Sequence, residues 1–274
     1  MAPDAGKFYT NYGSVQGSRY QVVDDLVNIH NVSHTTASWG GSRTFFYTAT
    51  SASADDIVFD HDLTWTQSQS NAGNQDSRPQ AWAKNVFSIG GVNHNDDANS
   101  LNDSWQNGGA SIGPANDGRI KPDMTAYYDA IGTSDLSGTS GYSGGNWTSG
   151  FGGTSGATPI VAGHNVLAIQ MFTDDSGTSG VGPFGNALRA PGGSVHENRP
   201  HFTTLKALQI VNGDQYAFNV TSTDNRREHQ GWGGFPSLEN MWNNRDKTFI
   251  VDETSALNPG GMDVWQVTLA PGES

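Results

Sequence analysis

Residues 152–164 read Gly-Gly-Thr-Ser-Gly-Ala-Thr-Pro-Ile-Val-Ala-Gly-His, which sets Ser155 behind two glycines at the head of an apolar run. Gly152 and Gly153 permit a tight turn that a side chain would block. Ile160, Val161, Val166, Leu167, Ile169 and Met171 then continue the segment as a helix that is apolar on most sides. A serine at such a helix start has two uses. It caps the helix by accepting a backbone N–H, or its hydroxyl attacks a carbonyl while the free N–H groups and the positive end of the helix dipole stabilise the oxyanion. For a bare Thr-Ser-Gly the cap is the ordinary reading, and the longer string around Ser155 favours the nucleophile. Pro159 is expected in the first turn, where its missing N–H costs nothing.

A serine nucleophile needs a base. Of the eight histidines, His164 lies nine residues along the same helix, about half a revolution out of phase and roughly 13 Å up the axis. His30, His34, His61, His94, His196, His201 and His229 sit beside strands or in polar stretches without motif context, and a solvated surface position is the expectation for each. Asp24 and Asp25 read as the solvated face of a helix. Asn95, Asp96, Asp97, Asn99, Asn102 and Asp103 form an oxygen-rich cluster that calcium would accept. It lacks the spacing of a defined calcium loop, so a hydrated loop is the preferred reading.

Composition limits the function classes. The 274 residues, with 34% hydrophobic and 35 glycines, suffice for a large core with long loops. A formal net charge of -13, with only 14 lysines and arginines, argues against nucleic acid as a partner. No apolar run reaches membrane-spanning length, so no membrane association is expected. The absence of cysteine excludes disulfides and thiol catalysis.

The elements that must position Ser155 alternate short strands with helices, the pattern of an α/β fold with a mostly parallel, twisted sheet covered on both faces. Strands are predicted over 7–11, 32–38, 63–70 and 86–92, and helices over 20–29, 52–59 and 203–211, besides the one that begins at Ser155. Residues 96–118 and 132–153 read as long loops and 174–199 as a polar stretch. No internal repeat is present.

The string around Ser155 resembles the serine motif of the subtilisin-like serine proteases, the subtilases, and other stretches agree in order. Ser70-Asn71-Ala72-Gly73-Asn74 resembles the segment supplying the oxyanion-hole asparagine, which makes Asn74 that residue. Ala37-Ser38-Trp39-Gly40-Gly41 resembles the substrate-binding strand. Gly118-Arg119-Ile120-Lys121-Pro122-Asp123 resembles the run that precedes a Pro-Gly turn, and Gln230-Gly231-Trp232-Gly233 the close of the catalytic domain. The similarity covers nearly the whole chain and is nearest to large alkaline subtilases with a C-terminal β-barrel. Met1-Ala2-Pro3-Asp4-Ala5 resembles the turn that follows the catalytic-histidine helix. The Asp and His of the triad would thus precede residue 1, and this chain would be a poor protease by itself.

The resemblance implies a polypeptide substrate, with Ser155 and Asn74 catalytic and Ser38, Trp39, Gly40 and Gly153 binding substrate. It also implies a structural calcium at Asp123, no organic cofactor and an extracellular, secreted setting. Residues 1–247 are expected to form a partial catalytic domain, and 248–274 the first strands of the β-barrel. Loss of an inner strand would leave an open sheet edge, to be closed within the chain, by a second copy or by an N-terminal segment. Two departures from the pattern count against a tuned protease: Gly156 stands where a methionine is usual, and Tyr127-Tyr128 where Pro-Gly is usual. A non-catalytic peptide-binding or assembly protein, and a weak esterase-like hydrolase, are the alternatives.

Overall fold

The structure is a computed structural model that describes residues 2–9, 13, 16–105, 109–138, 141–173, 180–217, 227–251, 258–264, 266 and 268. Four strands, β1 (His34–Ala37), β2 (Thr64–Ser68), β3 (Phe87–Val92) and β4 (Met124–Tyr127), form a parallel sheet in the order β1-β2-β3-β4. Thr35 pairs with Trp65, Thr66 with Phe87 and Ile89 with Met124. The strand alternation sends Thr66, Phe87, Ile89 and Met124 to one face and Trp65 to the other.

Helices cover both faces, as expected. Helices α1 (Arg19–Asn28) and α2 (Ala49–His61) bury Val23, Val27, Ala54, Ile57 and Val58 against Trp65 and Leu63. Helix α3 (Thr154–Phe172) packs Ala157 and Val161 on Phe87, Ile89 and Met124, and its far end joins Leu205 and Leu208 of α4 (Phe202–Val211). Local chemistry sets the ends: Ser18 and Gln21 form a capping box at the start of α1, and Asp62 closes α2 in the left-handed conformation at φ 44°. Two short helices follow, α5 (Arg227–Gln230) and α6 (Leu238–Asn243).

Several sequence expectations are corrected. Residues 7–9 form no strand, and 10 and 11 lie outside the described residues. The predicted loop over 132–153 contains an antiparallel pair, β5 (Ile131–Ser134) and β6 (Trp147–Phe151), with a register irregularity between Ile131 and Thr133. This pair lies against Gly156, where a Cβ would stand 2.4 Å from Ile131 Cδ1, the end of a side chain that can shift. Strand β4 was visible only as part of a motif. Residues 248–251 and 258–264 carry no strand, and most of the remaining tail lies outside the described residues.

Candidate active site

Helix α3 starts without a cap of its own, because its N-cap is Gly153 at φ 77°. Asn71 supplies the cap from across the site. Its Oδ1 accepts the Thr154 N–H at 2.9 Å and the Thr154 hydroxyl at 3.0 Å. That double acceptance turns Nδ2 toward Gly153, where an added Cβ would meet it at 3.1 Å. The Ser155 N–H is one of the first amides of the helix and has no intrahelical acceptor. Asn71 Nδ2, beside Gly153, and the Ser155 N–H are therefore two donors at the start of α3.

Asn74 is placed elsewhere. Strand β2 ends at Ser68, and Ser70 turns the chain at φ 132°. Asn71 then faces α3, while Gly73 donates to the Gly109 carbonyl and leads the chain away. The Asn74 Oδ1 accepts the Asp76 N–H at 2.8 Å, and Asn74 lines a separate cavity with Trp105, Ile112 and His229. Of the two asparagines, it is thus Asn71 that contacts the start of α3.

Pro159 lies in the second turn of α3, not the first. Having no N–H, it leaves the carbonyl four residues back, that of Ser155, without its helical donor. The Ser38 hydroxyl fills that vacancy at 3.0 Å, and the Ser155 hydroxyl donates to the Ser38 carbonyl at 3.3 Å. These two bonds fasten the end of β1 to the serine. Trp39, the next residue, is held by its carbonyl, which accepts from Gln67 Nε2 at 2.9 Å, and by the Arg19 guanidinium, which lies between the Trp39 and Trp65 rings. Burial pushes Arg19 down to about 10. Gly40 lies so close to Gln80 and Arg78 that a Cβ would sit 2.6 Å from Gln80 Oε1. The outer edge of β1 is unpaired among the described residues. Thr35, Thr36, Ser38, Trp39, Tyr9 and Pro159 line an open groove of about 580 Å³ there.

On the other side of the serine, Gly153 donates to the Tyr128 carbonyl at 2.6 Å, and a Cβ on Gly152 would meet that same oxygen at 2.5 Å. Both glycines are needed for the serine turn to lie on the end of β4. Tyr127 and Tyr128 serve the same contact: Tyr128 N–H donates to Val92, and the Tyr127 ring stacks on His94 at 4.2 Å.

Among the described residues no histidine touches the Ser155 hydroxyl. His164 bonds the Ile160 carbonyl, His94 pairs with Asp129 at 2.8 Å, and His201 with Asp62 at 2.7 Å. His34 is no surface residue. Thr66 accepts from Asn165 at 3.0 Å and is 2.7 Å from His34 Nε2, an arrangement that suits a neutral ring accepting the hydroxyl proton, and burial lowers the His34 pKa to about 4.

Asp123, expected to hold calcium, spends both oxygens on protein donors. Lys121 Nζ and the Ser88 N–H reach Oδ2 at 2.7 and 2.8 Å, and Lys206 Nζ reaches Oδ1 at 2.9 Å. Burial raises this carboxyl, Lys121 and Lys206 outweigh it, and the net pKa is held below the usual range. These residues do not fit a calcium site, because two ammonium groups already neutralise the carboxylate. In the oxygen-rich loop, Asn95 donates to the Asn102 carbonyl and Asn102 to Asp97 at 2.8 Å. Among the described residues there is no group of three or more acidic or histidine side chains arranged for a metal.

The structure joins Ser38 to Ser155 and, of the two asparagines in the string 70–74, brings the first, Asn71, onto Thr154.

Comparison with known proteins bears on the family and the fold. Residues 8–183 match Peptidase S8, the subtilase family. No curated protein sequence matches the chain. Among solved structures, the prenylagaramide maturation protease PagA is similar at a TM-score of 0.54 and 13% identity over 84% of this chain and 67% of its own. The patellamide maturation protease PatA gives 0.54 and 13% over 83% and 68%. A lanthipeptide protease gives 0.52 and 14% over 81% and 64%. At such identities these likenesses establish the fold.

Proposed function

Because this chain belongs to the subtilase family, a family of serine peptidases, we propose that Ser155 is the nucleophile of a peptide-bond hydrolase. The observation that carries the proposal is the convergence of the Ser38 and Asn71 segments on residues 154–155. An extended polypeptide adds along Ser38, Trp39 and Gly40, and the Ser155 hydroxyl attacks its carbonyl carbon. The oxygen moves toward Asn71 Nδ2, whose amide is anchored through Oδ1 on Thr154, and the Ser155 N–H. Attack requires loss of the hydroxyl proton, and the observed acceptor of that hydroxyl is the Ser38 carbonyl, a poor base. Unassisted, the site therefore suits activated acyl groups better than amides.

Exposure to p-nitrophenyl acetate tests the reading. The expected result is a burst of about one nitrophenolate per chain, with the acetyl group on the peptide containing Ser155 and lost in Ser155→Ala. Acylation elsewhere, or none, would overturn it.

A further inference from the structure

Positive charge is scarce in this protein, whose formal net charge is -13, and it is not evenly spread. The lysines are Lys7, Lys84, Lys121, Lys206 and Lys247, and three of these five, Lys84, Lys121 and Lys206, line one open cavity of about 630 Å³ together with Arg119. Among the described residues on its wall the only acid is Asp123. The cavity lies at the end of the sheet opposite Ser155. Lys84 precedes β3 and Lys121 precedes β4, whereas Ser38 and Asn71, which reach the start of α3, follow β1 and β2. In a parallel sheet these are opposite ends, and β3 spans about 20 Å between them.

The protein answers only part of this charge. Asp123 is closed, being shared by Lys121 and Lys206, and Arg119 meets Asp117 at 2.7 Å. Lys84 has no carboxylate among the described residues: its ammonium lies 5.5 Å from the centre of the Tyr47 ring, while Asp55 spends its oxygens on the Lys84 and Asn85 amides and the Tyr47 hydroxyl. One terminal nitrogen of Arg119 is buried without a hydrogen-bond partner. Burial brings Lys121 down to about 7, with Lys206 and Arg119 pressing the same way against the opposing pull of Asp123. Low-dielectric walls concentrate such a field on whatever enters.

Much of the remaining wall is apolar, formed by Ile120, Ala207, Ile210 and Trp232. Thr203, Ala207 and Ile210 are spaced by four and three residues along α4 and so turn one face of the helix to the cavity. Trp232 is fixed beside the cluster by its N–H on the Asp123 carbonyl at 2.8 Å, yet stays 42% exposed.

We propose that this cavity binds a carboxylate carried on an apolar body, with Lys84 as the ammonium partner of the head group and the body lying on the α4 face and Trp232. The cavity has the size and the mixed lining of a small-ligand site, in which a few charged groups orient a mainly apolar molecule. An inorganic anion would leave the apolar wall unused, and an uncharged apolar molecule would leave the lysine field unanswered. A free apolar acid and the C-terminus of an apolar peptide both carry the required chemistry. The site is separate from Ser155 and does not depend on that serine being a nucleophile.

Isothermal titration calorimetry on the full chain tests this with two acid–amide pairs, hexanoate with hexanamide and N-acetyl-Leu-Leu with its C-terminal amide, and with acetate as the head group alone. The expected result is that at least one acid binds about tenfold or more tightly than its amide and than acetate. A preference confined to hexanoate identifies the ligand as a free acid, and one confined to the peptide identifies it as a chain terminus. Lys84→Met should abolish the preference for the acid, and Ala207→Glu should abolish binding of the acid. Both side chains are exposed, so the thermal melts of the variants should match that of the wild type. Equal binding of acid and amide in both pairs, acetate binding as tightly as the apolar acids, no binding of either acid, or a preference that survives Lys84→Met would overturn the assignment. Because the acid–amide and acetate comparisons are made on the wild type, a variant that fails to fold leaves the test decisive.

Discussion

Two corners of the sheet are built from opposite chemistry. At Asp123 a buried carboxylate meets buried Lys121, half-buried Lys206 and Ser88 at the junction of β3, β4 and α4, with both of its oxygens spent. At Ser155 a half-buried hydroxyl, a capping amide and a strand end meet through neutral hydrogen bonds, and Asn71 Nδ2 and the Ser155 N–H are left over. The first corner has its partners inside the protein and therefore holds structure. The second leaves the Asn71 Nδ2 and Ser155 N–H donors without a partner among the described residues, which is what the proposed function uses. In the sequence the two look alike, since both are short strings with a familiar polar residue.

The largest effect that would test this contrast is on stability. Asp123→Ala strands the buried Lys121 amine and removes a partner of half-buried Lys206, and should cost about 3–5 kcal/mol, whereas Ser155→Ala should stay within about 0.5 kcal/mol. Urea denaturation of both variants measures this, and comparable losses would break the distinction.

A smaller effect separates the histidines. With His34 held near 4 in the fold, against about 6.5 when unfolded, the unfolded chain binds the extra proton between those values. Stability is therefore full above pH 6.5 and is lost as pH falls toward 4, on the order of 1–2 kcal/mol between pH 7 and 5. Urea midpoints at the two pH values should show this drop, and His34→Gln should flatten it. An unchanged slope would mean that the ring is solvated, as the sequence alone suggested.

What was legible follows from the range of the interactions. The apolar run 86–92 reads as a buried strand because its neighbours in sequence suffice, and β3 occupies Phe87–Val92. Strands β5 and β6 were hidden, being short, rich in Gly, Ser and Thr, and made only by pairing with each other. Lys121 lies two residues from Asp123 and was in view, but Lys206 comes from α4, and nothing local announces it. String matching counts residues, whereas which asparagine of the string reaches α3 is decided by where β2 ends and by the turn at Ser70, and here it is Asn71.

That last difference gives the most direct test. Acylation of Ser155 by an activated ester should slow about a hundredfold or more in Asn71→Ala, since one preorganised donor is removed, and remain unchanged in Asn74→Ala. Both variants should be read by the mass of the Ser155 peptide over time, with folding verified by melting. A slow Asn74→Ala beside an unaffected Asn71→Ala would contradict the site described, and equal rates in all three chains would deny any asparagine a part in holding the oxyanion.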